Sequence, residues 1–217
     1  MASTLAQYLE TAGLLKEAAA TYTKAIALQP MSRELKFRRV AALFGAKEYP
    51  QAASFAADAQ TEHPEDLRFP RLRARALFET GATARAFAVL EAAAKASPKD
   101  TATQFALADM YNDAGRESDA ERTMRQVVDT DPTNADALNY LGYFLANHGQ
   151  KLDEAIRLIQ RALDADPGNP SYLDSLGWAY FHRGDMDQAE KALAPAAQQL
   201  PRNSVIQDPL GAAPAQR

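Results

Sequence analysis

Residues 170–201 have the sequence PSYLDSLGWAYFHRGDMDQAEKALAPAAQQLP and hold one complete structural unit of this chain. Its apolar residues recur at helical spacing before and after a central glycine, Gly184: Leu173, Leu176 and Tyr180, then Ala189 and Leu193. Pro170 stands where the first turn of a helix tolerates a missing N–H, and Pro201 ends the second segment because it disfavours helix at the residue before it. The stretch therefore predicts a helix, a tight turn, a second helix and a stop.

The same unit recurs along the whole chain. Six prolines follow one another at intervals of 34, 34, 34, 35 and 34 residues: Pro30, Pro64, Pro98, Pro132, Pro167 and Pro201. An alanine stands twelve residues before each proline: Ala18, Ala52, Ala86, Ala120, Ala155 and Ala189. A glycine marks the turn in five units, and Lys47 takes that place in the second. A period of this length indicates stacked helical repeats, in which no single unit can bury its own apolar face.

We therefore predict an all-α protein, a right-handed α-solenoid of about six helix–turn–helix units. The predicted units are residues 1–32, 33–66, 67–100, 101–134, 135–169 and 170–203, in one array over residues 1–203. Residues 204–217 are expected to form an incomplete seventh unit or a disordered tail. Both ends look cut, so we expect either a fragment of a longer repeat protein or self-association through the second helix of the last unit. That helix should expose Leu193, Ala196 and Leu200.

The repeated residues resemble a known family. The pattern Leu173-x2-Leu176-Gly177-x2-Tyr180, followed by Ala189-x3-Leu193 and Pro201, resembles the tetratricopeptide repeat, with leucine in place of the usual tryptophan and phenylalanine. The resemblance covers residues 1–203 and is weaker where four residues replace large apolar ones: Lys36, Arg39, Pro70 and Arg73. It implies a superhelix whose first helices line a concave, protein-binding groove. Residues 139–184 look most like bacterial exported and outer-membrane-associated members, some of which are adaptors for proteases or envelope assembly.

Composition excludes several classes of protein. The chain has no cysteine, which excludes a disulfide scaffold and a thiolate metal site. No apolar run is long enough for a membrane span, and the N-terminus lacks the basic start and apolar core of a secretory signal. A cytoplasmic location is expected for the sequence as written, and a periplasmic or outer-membrane-associated one if the N-terminus is truncated. Residues 1–100 carry 14 basic and 11 acidic residues, and residues 101–217 carry 10 and 17.

No catalytic or cofactor-binding pattern is present. His63, His148 and His182 lie about one unit or more apart, so a metal site is not expected. Ser175 and His182 share a helix seven residues apart and are interpreted as polar residues of a solvated face. A sequence pI near 5.5 argues against a nucleic-acid partner. We predict that this chain is not an enzyme and binds no cofactor.

Candidate partner-binding residues lie on the first helices. A stripe at i, i+3, i+7 and i+10 of each first helix, which includes Ala146 in the fifth unit, should point into the groove. The candidates are Phe37, Phe44, Arg68, Arg71, Arg75, Phe78, Phe105, Asp109, Asn112, Asn139, Tyr143, Asp174, Trp178 and Phe181. Aromatic side chains beside arginine and asparagine are typical of protein-recognition surfaces. The alternative is that Phe44, Phe78, Trp178 and Phe181 pack in the core between neighbouring first helices.

Three arginines on one helical face predict a charged partner. Arg68, Arg71 and Arg75 would repel one another unless acidic groups face them, so an acidic partner segment or a C-terminal carboxylate is one hypothesis. The other is a solvated face neutralised by Glu79 or by the preceding unit. Arg71 and Arg75 resemble the basic half of the carboxylate clamp of chaperone-binding members. The other half is missing, because Ser3 and Gln7 replace the expected lysine and asparagine.

Two function classes follow from these features. The first is an interaction scaffold or adaptor that binds a partner segment in the concave groove. The second is a regulatory or targeting array of a larger enzyme, or of an envelope-assembly or protease-adaptor machine, with the chemistry located elsewhere.

Overall fold

The computed structural model describes residues 2–199, with side chains up to residue 194. This part of the chain forms twelve α-helices and no strand: α1 Ala2–Thr11, α2 Leu15–Leu28, α3 Arg33–Gly45, α4 Tyr49–Glu62, α5 Arg68–Glu79, α6 Thr83–Ala96, α7 Thr101–Asp113, α8 Glu117–Thr130, α9 Ala135–Asn147, α10 Leu152–Ala165, α11 Pro170–Arg183 and α12 Met186–Gln199. The predicted all-α helical repeat is confirmed. The predicted seventh unit or tail lies outside the described residues.

The helices form two compact units, residues 1–110 and 111–217, with the boundary inside α7. In the first unit each helix from α1 to α5 packs against the next one in sequence. In the second unit α9 packs against α8, α10 and α11, and α11 also packs against α10 and α12. Within each unit, therefore, odd-numbered first helices alternate with even-numbered second helices, as the period predicts.

The turns inside the helix pairs require a left-handed backbone. The five predicted glycines have φ between 62° and 89°. Lys47, which replaces a glycine in the second repeat (residues 33–66), has a φ of 61°. The turn before α10 contains one extra residue and has two left-handed positions, Gly149 and Lys151 (φ 47°). Lysine has a Cβ that opposes this conformation, so neighbouring contacts must hold Lys47 and Lys151 in place.

Five of the first helices, α3, α5, α7, α9 and α11, have a capping side chain two residues after a repeat proline. Ser32, Asn134 and Asn169 accept backbone N–H bonds from α3, α9 and α11. Asp100 accepts one from Thr103 in α7, at 2.9 Å, and Asp66 accepts one from Arg68 at the start of α5, at 3.1 Å. Polar side chains that accept from the first free N–H groups fix where a helix begins. These caps were not predicted from the sequence. The signal was present, because a serine, asparagine or aspartate stands two residues after each of the first five repeat prolines: Ser32, Asp66, Asp100, Asn134 and Asn169.

The helix pairs bury one apolar position of the period almost completely. Five of its residues are 0% exposed: Tyr22, Ala56, Leu90, Met124 and Ile159. The sixth, Leu193 on α12, is 37% exposed. Leu193 is therefore exposed, as expected. The side chains of Ala196 and Leu200 lie outside the described residues.

Charged residues at the weak repeat positions use partners on α4. Lys36 is 3% exposed, and its ammonium pairs with the Glu62 carboxylate. The Arg39 guanidinium lies over the Phe55 ring at 3.9 Å. Long cationic side chains can cover apolar surface with their stems while the charged end contacts a partner, so these substitutions are compatible with the repeat fold.

Candidate protein-binding faces

In the first unit, the predicted face of α5 is neutralised by the protein's own carboxylates. Arg68 pairs with Glu34 on α3 (Nη1 to Oε2, 3.0 Å) and with Asp66 (Nη2 to Oδ2, 2.8 Å). The hydrogen bond from Arg68 is the main cause that holds the pKa of Asp66 below its usual value. The Arg68 guanidinium also lies 4.1 Å from the centroid of Phe37, a predicted aromatic anchor. The guanidinium therefore covers part of this ring.

The other two arginines of α5 are also paired within the unit. Arg71 contacts Asp100 (Nη1 to Oδ2, 3.1 Å), and Arg75 contacts Glu79 one helical turn later (Nη2 to Oε1, 2.9 Å). The alternative hypothesis required neutralising contacts from Glu79 and from the preceding repeat. Glu79 and Glu34 supply them, and Asp100 is a further partner. The acidic-partner hypothesis is not tested by them, but an acidic segment would have to compete with four internal carboxylates, those of Glu34, Asp66, Glu79 and Asp100.

The predicted aromatic residues of the first unit are half-buried. Phe44 packs against the Tyr49 ring at 5.2 Å between centroids. Phe78 meets the ring of Phe87 edge-on at 6.4 Å. Phe105 and Asp109, on α7, are also half-buried. These aromatic side chains therefore belong partly to the packing of the repeat.

In the second unit, the predicted face is formed by α9 and α11, which pack against each other. The Tyr172 hydroxyl on α11 donates to Asp136 Oδ1 on α9 at 2.6 Å. Burial, together with this bond, raises the pKa of Tyr172 to about 12. The bond therefore ties the N-terminal turns of the two helices together.

Trp178 and Phe181 on α11 form the most exposed aromatic pair among the predicted site residues. They are 39% and 51% exposed, and their rings stack at 5.8 Å with an interplanar angle of 18°. His182 meets Trp178 edge-on at 4.6 Å. The alternative that Trp178 and Phe181 belong to the core is therefore not supported. It agrees better with Phe44 and Phe78, which are half-buried.

The remaining candidates differ in accessibility. Asn112, Asn139, Tyr143 and Asp174 are half-buried, and the side-chain oxygen of Asn139 is itself buried without a hydrogen-bond partner. Ala146 was expected to face the groove, and this expectation is wrong because it is 0% exposed. Helices α8, α10 and α11 all pack against α9. Ser175 was interpreted as part of a solvated face, and this interpretation is wrong because Ser175 is buried and donates to the Ser171 carbonyl oxygen at 2.9 Å.

Comparison with protein families decides the class of this protein. Two tetratricopeptide-repeat models match it, one at residues 3–66, 56–101 and 105–170, and the other at 149–208. The chain belongs to the tetratricopeptide repeat family. Tetratricopeptide repeats are generally non-catalytic modules for protein interaction, so a protein-interaction scaffold is the class of function that this membership supports.

Relatives of this tetratricopeptide-repeat chain agree with the assignment. It is 31% identical over 174 residues to the TPR repeat-containing protein PA4667 of Pseudomonas aeruginosa, a match that covers 78% of this chain and 29% of that protein. The chain therefore spans less than a third of the length of this relative.

Solved structures share the fold at low sequence identity. TTC0263, a thermophilic TPR protein of Thermus thermophilus, is 20% identical with a TM-score of 0.61, over 79% of this chain and 93% of that one. MamA of Desulfovibrio magneticus is 19% identical with a TM-score of 0.56, over 76% and 93%. YrrB, a TPR protein with an unusual peptide-binding site, is 19% identical with a TM-score of 0.51, over 83% and 92%.

Two kinds of feature are absent from the residues that the structure describes. None of the helices in residues 2–199 is both long and apolar enough to cross a membrane. Within the same residues, no three histidine, aspartate or glutamate side chains are grouped so that they could hold a metal ion.

Proposed function

We propose that this tetratricopeptide-repeat chain is a scaffold or adaptor that holds a segment of a partner protein on the faces of its first helices. The observation that carries the proposal is the exposed stack of Trp178 and Phe181 on α11. Large aromatic side chains on an accessible helical face are typical binding hot spots. YrrB, which has the same fold, is described as having a peptide-binding site, and the proposal extends this mode of recognition to the present chain.

The exposed stack has enough surface to anchor a ligand. A tryptophan or phenylalanine side chain buries about 150–250 Å² when it is fully covered, so the exposed parts of Trp178 and Phe181 together leave roughly 150–200 Å² to bury. At about 25 cal/mol per Å², this area gives a gross stabilisation of roughly 4 kcal/mol. Ordering the partner segment consumes part of this gain, so removing both rings should cost about 2 kcal/mol of binding free energy, or roughly thirtyfold in Kd.

The experiment selects ligands without assuming their chemistry. A random peptide library is displayed and panned against the full chain, and the Kd of each selected peptide is measured by fluorescence anisotropy with a dye on the peptide. The double variant W178A/F181A should weaken binding about thirtyfold. The matched control is L28A, which removes another exposed apolar side chain (77% exposed) at the end of α2, a second helix. Its Kd should equal that of the wild type.

The proposal fails if selected peptides bind W178A/F181A as tightly as the wild type and lose affinity on substitutions in the second helices. Far-UV circular dichroism of each variant shows whether a loss of binding reflects unfolding. An acidic partner segment near Arg68, Arg71 and Arg75 remains part of the proposal for the first unit. Selected peptides rich in Asp and Glu that lose affinity in R71Q would support it.

A second candidate function is a regulatory or targeting array within a larger machine, with the chemistry elsewhere. The observation in its favour is that the match to PA4667 covers only 29% of that protein. Immunoprecipitation of the endogenous polypeptide followed by mass spectrometry tests this candidate. Peptides from a catalytic region of the same polypeptide would support it, and a polypeptide that contains repeat sequence alone would contradict it.

A further inference from the structure

The exposed aromatic pair lies on the acidic unit of the chain. Residues 111–217 contain 10 basic and 16 acidic residues, whereas residues 1–110 contain 14 and 12. The first helices differ more sharply, because α3 and α5 together contain eight lysine or arginine residues and two glutamates. In contrast, α9 and α11 together contain one arginine and two aspartates. The helices that carry the aromatic pair and its neighbours therefore contain more acidic than basic residues, whereas α3 and α5 contain more basic ones.

The two aspartates lie on the N-terminal side of the aromatic pair. Asp174 precedes Trp178 by four residues on α11, which corresponds to about 6 Å along the helix axis. Asp136, on the adjacent α9, lies within reach of α11, since it accepts the Tyr172 hydroxyl bond at 2.6 Å. The single arginine, Arg183, is at the other end of α11 and pairs with Asp153 at 3.0 Å and with Asp185.

We infer that the α9–α11 face selects partner segments in which an apolar side chain stands about two residues from a lysine or arginine. This inference rests on the proposed function and names the partner chemistry of the same site. An extended segment advances about 3.3 Å per residue, so two residues span the distance between Asp174 and Trp178. The apolar side chain covers the rings of Trp178 and Phe181, and the cation lies against the Asp174 carboxylate.

Charge complementarity determines the sign of the preferred ligand. A cation beside Asp174 gains a favourable interaction in a unit of net negative charge, whereas a carboxylate at the same place meets a like charge. Salt screens such partly exposed pairs over about 8 Å at physiological ionic strength. The preference should therefore be largest in dilute buffer and shrink as salt is added.

The test uses eight-residue peptides that are acetylated and amidated, so that their termini carry no charge. Each has a single leucine, and the residue two positions away is Arg, Gln or Glu; a fourth peptide has Arg but Ser in place of leucine. Trp178 is the only tryptophan of the chain, so its fluorescence reports binding at this face directly. At low salt the Arg–Leu peptide should bind about tenfold more tightly than the Glu–Leu peptide. The Arg–Ser peptide should bind more weakly than Arg–Leu.

Two variants locate the source of the preference. D174N should reduce the Arg-over-Glu ratio about two- to fivefold, as expected for a partly exposed charge pair. The control D129N removes one negative charge from the exposed surface of α8 in the same unit, and it should leave the ratio unchanged.

The outcomes distinguish this inference from the proposed function. If all three leucine peptides bind equally, or Glu–Leu binds most tightly, the inference is overturned while the scaffold proposal stands. Equal loss of the Arg-over-Glu ratio in D174N and D129N would show general attraction to an acidic unit, which also overturns it. The four designed peptides could fail to bind while the library yields peptides that lose affinity in W178A/F181A and contain no basic residue. That result would overturn the inference and leave the scaffold proposal standing. Failure of both peptide sets removes the scaffold proposal as well.

Discussion

Substituting alanine for Gly142 should destabilise the second unit, whereas the same change at Gly177 should not. The two glycines occupy the same position of the repeat, on α9 and α11. A Cβ atom added at Gly142 would lie 2.6 Å from Ile159 Cγ1 and 2.9 Å from the backbone carbonyl oxygen of Ala155. At Gly177 the three nearest atoms all belong to the Leu193 side chain, at 2.5 to 3.2 Å.

The different neighbours decide the sign of the effect. The Ala155 carbonyl is part of α10 and can move only if the helix moves, and Ile159 is 0% exposed. Leu193 is 37% exposed, so its side chain has room to rotate. Both substitutions gain about 1 kcal/mol because alanine has the higher helix propensity. Overpacking at position 142 should cost about 1–3 kcal/mol. We expect G142A to be destabilised by about 1 kcal/mol and G177A to be unchanged or stabilised by up to about 1 kcal/mol.

The free energy of unfolding of both variants is measured by urea denaturation, which is followed by far-UV circular dichroism and by Trp178 fluorescence. The slope of the unfolding free energy against urea should match that of the wild type, so that the midpoint reports stability alone. The reasoning is refuted if G142A is as stable as G177A or more stable. In that case the carbonyl of Ala155 would not set the distance between α9 and α10.

Three further predictions concern single contacts. E62Q should destabilise the protein more than K36M, because it leaves the buried Lys36 ammonium without a carboxylate while methionine replaces it with an apolar side chain; urea midpoints compare them, and a larger loss in K36M would contradict this. Burial and the bond to Glu10 raise the pKa of Tyr22 to about 12, so its contribution to stability should be complete below pH 10 and lost towards pH 12; the Y22F variant should lose less stability over this range, and an unchanged loss would exclude Tyr22 as the cause. If α12 mediates self-association, sedimentation velocity should show an increase in average mass with concentration that L193S reduces, and a strictly monomeric wild type would contradict it.

Most of the fold was predictable because a repeat shows each local signal several times. The first helix of the last unit was expected to begin at Pro170 and to end before Gly184, and it covers Pro170–Arg183. The left-handed turn at Lys47 followed from its register with the glycines, although lysine does not itself favour that conformation. A single unit would not have given this information, because one lysine between two helices has no distinctive signal.

The candidate site was less predictable, because the pairing of charges depends on contacts between neighbouring repeats. The stripe pattern placed Arg68 and Arg71 on one helical face, but Arg68 pairs with Glu34 and Arg71 with Asp100, each about one repeat away in sequence. Helical spacing shows which residues share a face of one helix, and it contains no information about the side-chain rotamers that join two helices. The aromatic residues show the same limit, since only the packed structure separates half-buried Phe78 from exposed Trp178.

The repeat fixes where each stripe residue lies but does not fix the chemistry of its side chain. The third residue of the stripe is, in successive units, Ala41, Arg75, Asp109, Tyr143 and Trp178. Some packing positions vary far less, since the position twelve residues before each repeat proline is always alanine. Stability therefore constrains the packing positions, whereas the stripe can change its charge and size from unit to unit at little cost to the fold. Family membership consequently establishes the repeat fold, and the identity of a partner has to be sought in the stripe residues that differ among the repeats, with Trp178 first among them.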